Sequence, residues 1–204
     1  PALTSVFADV TLPAYLERDE SQRKDVRGGA MSLVRGSQVR VTATANRPLR
    51  AASVDGAPAL RPYRAIESPL VEVDGERRIE FRWEDEHGLH GREPFRMNLS
   101  GREDMPPTVG CDGLVSGKVV LETDVLVFKV RARDDFGIRH VGLEWQAVVA
   151  KAPASAPLGE RIIAAGASDR EELEALATFS AHALEIAPQP LSLLAFVEDY
   201  FPAR

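Results

Sequence analysis

Apolar and polar residues alternate along most of this chain, and that alternation restricts the possible folds more than any other feature of the sequence. Val39, Val41, Ala43 and Ala45 occupy every second position of one such stretch. Successive side chains of a β-strand point to opposite faces, so this spacing predicts a strand with one buried side and one solvent-facing side. The same pattern recurs at residues 78–83, 95–99, 126–132 and 141–149. One-sided strands separated by Gly, Pro, Asn and Asp predict an all-β fold of antiparallel, immunoglobulin-like or cadherin-like β-sandwiches.

Two pairs of segments repeat within the 204 residues. Residues 39–54 align with residues 127–141, each as strand, polar turn and strand, and residues 79–85 align with residues 193–199. Domains of about 100 residues are common, so the length suits two of them. The sequence therefore predicts two tandem Ig-like sandwiches, with their boundary in the stretch 101–107.

We place the first sandwich at residues 1–103 and the second at 108–204, and we predict that the second lacks its last strand. In the first, a turn and a returning strand at 95–99 follow residues 77–83. The matching run 191–197 is followed only by residues 198–204, so an open sheet edge is expected beside it. The start at Pro1 and the end directly after a strand-like run lead us to expect a segment cut from a longer protein.

One stretch favours a helix. Ser168 is followed three positions later by Glu171, which is the spacing of a capping box. We predict a short helix at residues 168–177 of the second domain, with an acidic first turn that suits the helix dipole. The preceding stretch 150–157 is of low complexity, and an exposed loop is expected there.

Five phrases of the sequence resemble a known kind of repeat. They are residues 10–15, 45–49, 104–109, 132–138 and 198–202. Together they look like the tandem Ig-like segments of large membrane-anchored bacterial envelope proteins of unknown function. This resemblance implies a periplasmic or cell-surface location within a longer membrane-anchored protein, and a module that has no assigned catalytic residues.

The composition excludes some partners. The formal net charge is −6, with 44% hydrophobic and 27% charged residues, so the sequence has no excess of positive charge with which to bind nucleic acid. No apolar run approaches the roughly 18 to 20 residues that span a bilayer, so we expect no membrane insertion by this segment. Cys111 is the only cysteine. Its place in a predicted first strand favours a small core residue over a reactive thiol.

The sequence contains few patterns typical of catalysis. It has no Gly-x-Ser-x-Gly elbow and no glycine-rich phosphate loop after a strand. His87 and His90, beside the acidic residues 84–86, form the only cluster with metal-like composition, and a solvated charged turn is the favoured interpretation. Trp83 and Trp145 lie in the apolar register of their strands. We predict core positions for both, although an exposed pair could stack on sugar rings.

Acidic residues are predicted to gather at one end of the second sandwich. The loops after its second and sixth strands lie at the same end as its N-terminus in an Ig-like fold. These segments carry the carboxylates that we consider as calcium ligands at the domain junction: Asp104, Asp134, Asp135, Glu198 and Asp199. Calcium takes six to eight oxygen ligands, but guanidinium groups could neutralise the same charges. Arg102, Arg133 and Arg139 are candidates for that role, and we favour arginine pairing and solvation over Ca²⁺.

The residues predicted to form the two cores follow from the alternation: Val41, Phe81, Trp83 and Met97 in the first, and Phe128, Val130, Leu143, Trp145 and Val197 in the second. The predicted function is a non-catalytic structural or interaction module, of spacer or adhesion type, in a multidomain exported bacterial protein. A carbohydrate-binding β-sandwich is the alternative, and two or three coplanar exposed aromatic side chains would support it. Predicted partners are flanking domains of the same polypeptide, with an envelope protein or glycan as further candidates. No cofactor is expected apart from the possible Ca²⁺.

Overall fold

A computed structural model describes residues 1–18, 20–59, 63–148 and 158–202. It confirms the predicted all-β fold class, with strands joined mainly in antiparallel sheets. Two single-turn 3-10 helices, Ala14–Leu16 and His182–Leu184, are the only helical elements in these ranges. The chain divides into two compact units, Pro1–Asp104 and Met105–Arg204.

The first unit contains two five-stranded sheets. Their strands are β1 (Leu3–Thr11), β2 (Gln22–Asp25), β3 (Ala30–Val34), β4 (Ser37–Ala45), β5 (Leu49–Val54), β6 (Ala57–Pro58), β7 (Ala65–Glu67), β8 (Val71–Val73), β9 (Arg77–Asp85) and β10 (Phe95–Arg102). One sheet has the order β2-β1-β4-β7 with β8 also on β4, and the other has the order β3-β10-β9-β5-β6. All pairs are antiparallel except β3 with β10, which is parallel.

The core of the first unit lies between its two sheets. Val41 comes from one sheet, and Phe81, Trp83 and Met97 come from the other, so all four residues predicted for this core are buried in it. Alternation along each strand, as in β4, causes this burial, because every second side chain points into the core.

The second unit contains two three-stranded sheets. Their strands are β11 (Thr108–Asp112), β12 (Leu126–Arg133), β13 (Ile138–Ala147), β14 (Gly159–Ala167), β15 (Glu172–Phe179) and β16 (Leu191–Asp199). The sheet orders are β11-β12-β15 and β14-β13-β16, and every pair is antiparallel. Four of the five predicted core residues, Phe128, Val130, Leu143 and Trp145, are buried between these sheets. The fifth, Val197, packs against the core but is only half-buried.

The predicted helix at 168–177 is wrong. Residues Glu172–Phe179 form strand β15, which pairs with β12 along its whole length. Leu173 and Ala177 are buried, and the acidic residues 172 and 174 face outward, so the segment obeys a period of two after all. Strong helix formers such as Glu, Leu and Ala are overridden here by pairing with the neighbouring strand. Residues 149–157, where we expected the end of a strand and an exposed loop, lie outside the described residues.

The two units place their strand irregularities at the same point. The pairing of β5 with β9 shifts between Leu49, opposite Asp85, and Ala51, opposite Glu84. The pairing of β13 with β16 shifts between Ile138, opposite Asp199, and His140, opposite Glu198. Position 85 therefore corresponds to position 199, which is the alignment that the sequence predicts for 79–85 with 193–199.

The alignment of the earlier strands needs a correction of one residue. The predicted match of Val39 with Val127 pairs a buried side chain with one that is 55% exposed. Phe128 is the buried neighbour, and it takes the core position that corresponds to Val39. A shift of one residue exchanges the two faces of a strand. Burial therefore decides between two alignments that the sequences alone support equally.

Candidate functional site

The carboxylate of Asp85 is the most completely buried acidic group in the first unit. Its Oδ1 accepts hydrogen bonds from the backbone N–H groups of His87 and Leu89, both at 2.9 Å, and its Oδ2 accepts one from Arg47 Nη1 at 3.2 Å. Burial acts to raise the pKa of Asp85, but the hydrogen bonds from Leu89, His87 and Arg47 outweigh it and hold that pKa below the ordinary value. Asp85 thus organises the turn between β9 and β10.

This turn also contains His87 and His90, the two histidines of the cluster with metal-like composition. His87 and His90 are exposed, and neither belongs to a group of three metal-type side chains in the described ranges. His90 forms an isolated antiparallel β-bridge with Glu84. The carboxylate of Glu84 forms an ion pair with Arg50. The structure therefore places both histidines exposed in the charged turn between β9 and β10.

Asp199 has the corresponding place in the second unit. Its Oδ1 accepts a hydrogen bond from the backbone N–H of Phe201 at 2.9 Å, two residues along the chain, as Asp85 does with His87. The neighbouring Glu198 faces outward, and its Oε2 lies 3.0 Å from Nε2 of His140. Its Oε1 lies 3.9 Å from Nη1 of Arg139, whose guanidinium group also sits 4.9 Å from the ring centre of Tyr200.

Asp134 begins the loop between β12 and β13. Its Oδ2 accepts hydrogen bonds from the backbone N–H groups of Phe136, at 2.9 Å, and Gly137, at 2.8 Å. Its Oδ1 is buried and has no hydrogen-bond partner among the residues that the structure describes. Gly137 has a φ of 121°, and a Cβ there would lie 2.3 Å from the carbonyl oxygen of Ser168, so this loop requires glycine. Asp134 is therefore a structural residue of its own loop.

The predicted calcium ligands are divided between the two units. Within the second unit, Asp134, Asp135, Glu198 and Asp199 contain no three side chains whose ligand oxygens all lie within 4.8 Å of one another. Asp104 belongs to the first unit, where its Oδ2 accepts a hydrogen bond from the hydroxyl of Tyr15 at 2.9 Å. Calcium binding across the junction stays a prediction.

Arginine pairing, our favoured alternative, has an expected partner for Arg139 and a different partner for Arg133. Arg139 does approach Glu198, but Arg133 pairs with Glu172 of the adjacent strand. That pair belongs to a ladder of charges on the outer face of the β11-β12-β15 sheet. In this ladder Arg131 bridges Asp112, at 3.0 Å, and Glu174, at 2.9 Å. Exposed pairs of this kind contribute about 0 to 1 kcal/mol each, so the ladder mainly keeps this face polar.

The tryptophans and the cysteine are part of the cores. Trp83 and Trp145 are each only 7% exposed, and Trp83 Nε1 donates to the carbonyl oxygen of Pro1 at 3.2 Å. Cys111 lies in β11 and packs against the second core. Burial, and then the charge of Asp112, raise the pKa of its thiol, so little reactive thiolate forms at neutral pH.

An apolar patch on the outer face of the β14-β13-β16 sheet was not predicted from the sequence. Leu194 is 45% exposed and Ile162 is 49% exposed. The ring of Phe196 covers Gly142, where a Cβ would lie 2.3 Å from its Cζ. We call Ile162, Leu194 and Phe196 the outer patch. A signal was present, because residues 193–197 are uninterrupted apolar residues in a chain that otherwise alternates, and such a run indicates a strand covered on both faces.

Comparison with known proteins adds no family. No protein-family model matches the chain, and no curated protein matches it. None of the helices in the described ranges is long and apolar enough to cross a membrane.

Proposed function

We propose that this chain is a non-catalytic structural and interaction module, made of two copies of one Ig-like sandwich, within a multidomain exported bacterial envelope protein. Its place would be the periplasm or the cell surface, next to flanking domains of the same polypeptide. The observation that carries the proposal is the repetition of one strand arrangement, since tandem sandwiches of a single type are typical of spacer and adhesion segments.

The repetition is supported at three levels. The order β1-β4-β7 corresponds to β11-β12-β15, and the order β6-β5-β9 corresponds to β14-β13-β16. The register shift lies at the same position in both units, and an aspartate follows it on the partner strand. That aspartate accepts a hydrogen bond from the backbone N–H two residues later in each case.

The use of the buried polar groups supports a structural role. Asp85, Asp134 and Asp199 are buried carboxylates at or directly after strand ends, and each accepts one or more hydrogen bonds from the backbone N–H groups that follow it. At Asp85 these bonds outweigh burial and hold the pKa below its ordinary value, which suits a structural group better than a general acid or base that must exchange protons with a substrate. These groups therefore stabilise the chain next to the strands that they end.

Location can be tested with a reporter. Alkaline phosphatase, fused after Arg204 in the natural gene, needs disulfides and is active only outside the cytoplasm. We expect activity from this fusion and none from a β-galactosidase fusion at the same position. A stable but inactive phosphatase fusion with active β-galactosidase would contradict the proposed location.

The structural role can be tested by replacement. Residues 1–204 of the natural protein are exchanged for two unrelated Ig-like sandwiches of the same length. A pure spacer keeps its cellular function after this exchange, whereas an interaction module loses it and regains it when only the β14-β13-β16 sheet surface is restored. Loss of function after single substitution of an exposed polar residue, with unchanged folding, would instead indicate catalysis.

A further inference from the structure

A cavity of about 930 Å³ opens on one side of the first sandwich, and residues of both β6 and β7 line it. These are edge strands among the described residues, because β6 pairs only with β5 and β7 only with β4. Residues 60–62, between Ala59 and Tyr63, lie outside the described residues. Ligand sites of proteins measure about 300 to 1,000 Å³, so this cavity is large enough for a small molecule.

The second sandwich is built differently on this side. β14, which corresponds to β6, has nine residues where β6 has two. Arg161 of β14 reaches across to β15, the counterpart of β7, and its Nη2 donates to the carbonyl oxygen of Thr178. The short β6 makes no such link to β7 within the described residues. The cavity is therefore a feature of the first unit and does not follow from the shared fold.

The chain at Tyr63 and Arg64, beside the cavity, is held to both sheets. The carbonyl oxygen of Tyr63 accepts a hydrogen bond from the N–H of Leu49 in β5, at 2.7 Å. The carbonyl oxygen of Arg64 accepts one from the N–H of Ala45 in β4, also at 2.7 Å. These two bonds fix the backbone from which the exposed side chains of Tyr63 and Arg64 line the cavity.

The edge of β7 adds backbone donors and acceptors to the lining. The C=O of Arg64 and the N–H of Ser68 both bond to β4, so the even-numbered residues of this segment face β4. The N–H and C=O groups of Ala65 and Glu67 consequently point away from β4. Both residues line the cavity, so these groups are placed to bind the hydroxyl groups of a ligand.

The charged side chains of the lining are only partly paired. Arg77 pairs with Asp55, with Nη2 and Oδ2 3.5 Å apart. Arg40, Arg64 and Glu67 have no ion-pair partner among the described residues. A guanidinium group matches a carboxylate in shape and charge, so the two unpaired arginines suit an acidic ligand. The carboxylate of Glu67 can accept hydrogen bonds from hydroxyl groups of the same ligand.

One aromatic ring and several small apolar residues complete the lining. Tyr63 is the only aromatic residue among the described residues that line the cavity, and it is 67% exposed. Its ring offers a flat apolar surface with a polar end, which suits the C–H face of a sugar. A neutral glycan would need more than one such ring, so charge must supply part of the recognition. The apolar residues are Val54, Ala57, Pro58, Ala59, Ala65 and Pro69.

We propose that this cavity of the first unit binds an acidic saccharide. Its carboxylates pair with Arg40 and Arg64, one sugar ring packs on Tyr63, and hydroxyl groups bond to Glu67 and to the backbone edge of β7. A single class of ligand thus uses the unpaired cations, the unpaired carboxylate and the exposed ring together.

An acidic peptide fits the same lining less well. It brings carboxylates to the arginines, but a run of acidic residues has no hydroxyl groups for Glu67 and would be repelled by its charge. The assignment gives the interaction module a class of ligand and rests on that proposed function. Binding is measured with purified protein, so its failure is distinct from a failure of the reporter fusions or of the replacement experiment.

The probes are the trisaccharides of galacturonate, mannuronate and guluronate, each compared with its methyl ester, which keeps the sugar and removes the charge. Calorimetry and amide NMR measure their binding to residues 1–204. We expect at least one acid to bind one per chain, with shifts at Tyr63, Ala65 and Glu67 and none in β14 or β15. Its ester should bind about fivefold or more weakly, as expected for the loss of exposed ion pairs.

Matched protein variants test which groups bind. Arg40→Gln and Arg64→Gln should each weaken binding about two- to fivefold. Arg78→Gln is the control, because Arg78 is an exposed arginine of the same unit that does not line the cavity, and its affinity should stay within about 1.5-fold of the unaltered chain. All three side chains are exposed, so the unfolding curve of Trp83 should not change.

Four results would overturn the proposal. They are no binding of any of the three acids, equal binding of acids and esters, the same affinity in Arg40→Gln and Arg64→Gln as in Arg78→Gln, and tighter binding of triglutamate than of every acid saccharide. The last result would assign the cavity to an acidic peptide instead.

Discussion

Strands β9 and β16 occupy matching positions in the two units, yet within the described residues β9 is paired on both edges and β16 on one. β9 alternates strictly, with Ile79, Phe81 and Trp83 inward and charged residues outward. β16 keeps the inward series but replaces the outward charges by Leu194 and Phe196. The inward-facing residues are apolar in both strands because both strands line the core of a sandwich. The outward-facing residues depend on what lies against the other face of the sheet. The difference teaches that strands at matching positions of one fold can share a buried face and differ in the chemistry of the other face.

The largest expected effect contrasts the two strands through their cores. Ile79→Ala removes a fully buried side chain and should cost about 2 to 5 kcal/mol of unfolding free energy in the first unit. Leu193→Ala, at the corresponding position of β16, should cost the second unit roughly 1 to 2 kcal/mol, because the side chain is already partly exposed.

Urea unfolding measures both variants in the same way. The fluorescence of Trp83 reports on the first unit and that of Trp145 on the second, and each variant leaves the other unit as an internal control. Equal losses of unfolding free energy in the two units would contradict the comparison, since they would mean that the inward side chains of β16 are as well buried as those of β9.

A second prediction concerns the packing of the Phe196 ring against Gly142. In Gly142→Ala the new Cβ would lie 2.3 Å from Cζ of this ring and must displace it, which should destabilise the second unit by about 1 to 3 kcal/mol. Gly110→Ala in β11 is the control, because a Cβ there meets nothing within 4 Å. Its effect should stay within about 0.5 kcal/mol. If the two variants melt alike, Phe196 does not rest on Gly142 and the outer patch is arranged differently.

The smallest expected effect is a pH dependence in the first unit. The pKa of Asp85 is lower in the folded state than its ordinary value of 3.8, because the hydrogen bonds from Leu89, His87 and Arg47 outweigh burial. The folded state therefore gains stability above that value and loses it as the pH falls through the lowered pKa. Asp85→Asn should flatten the acid limb of the Trp83 unfolding curve and leave that of Trp145 unchanged. An acid limb as steep as before would show that Asp85 is not the group responsible.

The sequence was sufficient to predict several strands in which one face is buried and the other faces solvent. Residues 78–83 and 126–132 alternate for that reason, and both lie in strands as expected. Strand β15 was predicted as a helix because Ser168 and Glu171 have the spacing of a helix cap, and because Glu, Leu and Ala all favour helices. Only its pairing with β12, which local sequence does not encode, gives it an extended form.

The candidate site was predictable only in part. The sequence predicted a strand at 191–197, and β16 is an edge strand in the described part of the chain. The outer patch was missed because residue 162 lies in β14, a strand that no pattern had predicted, and its closeness to Phe196 arises only when both strands pair with β13. The buried role of Asp134 likewise depends on the turn that it organises.

Residue-resolved hydrogen exchange along β9 and β16 tests the central claim most directly. In β16 the amides of Ser192, Leu194 and Phe196 should be protected by β13, while those of Leu193, Ala195 and Val197 should exchange quickly. In β9 the matching amides of Ile79 and Phe81 should be as protected as their neighbour Glu80, whose N–H donates to Asp55. Uniform protection from Ser192 to Val197 in the isolated chain would contradict an open edge on the second sandwich.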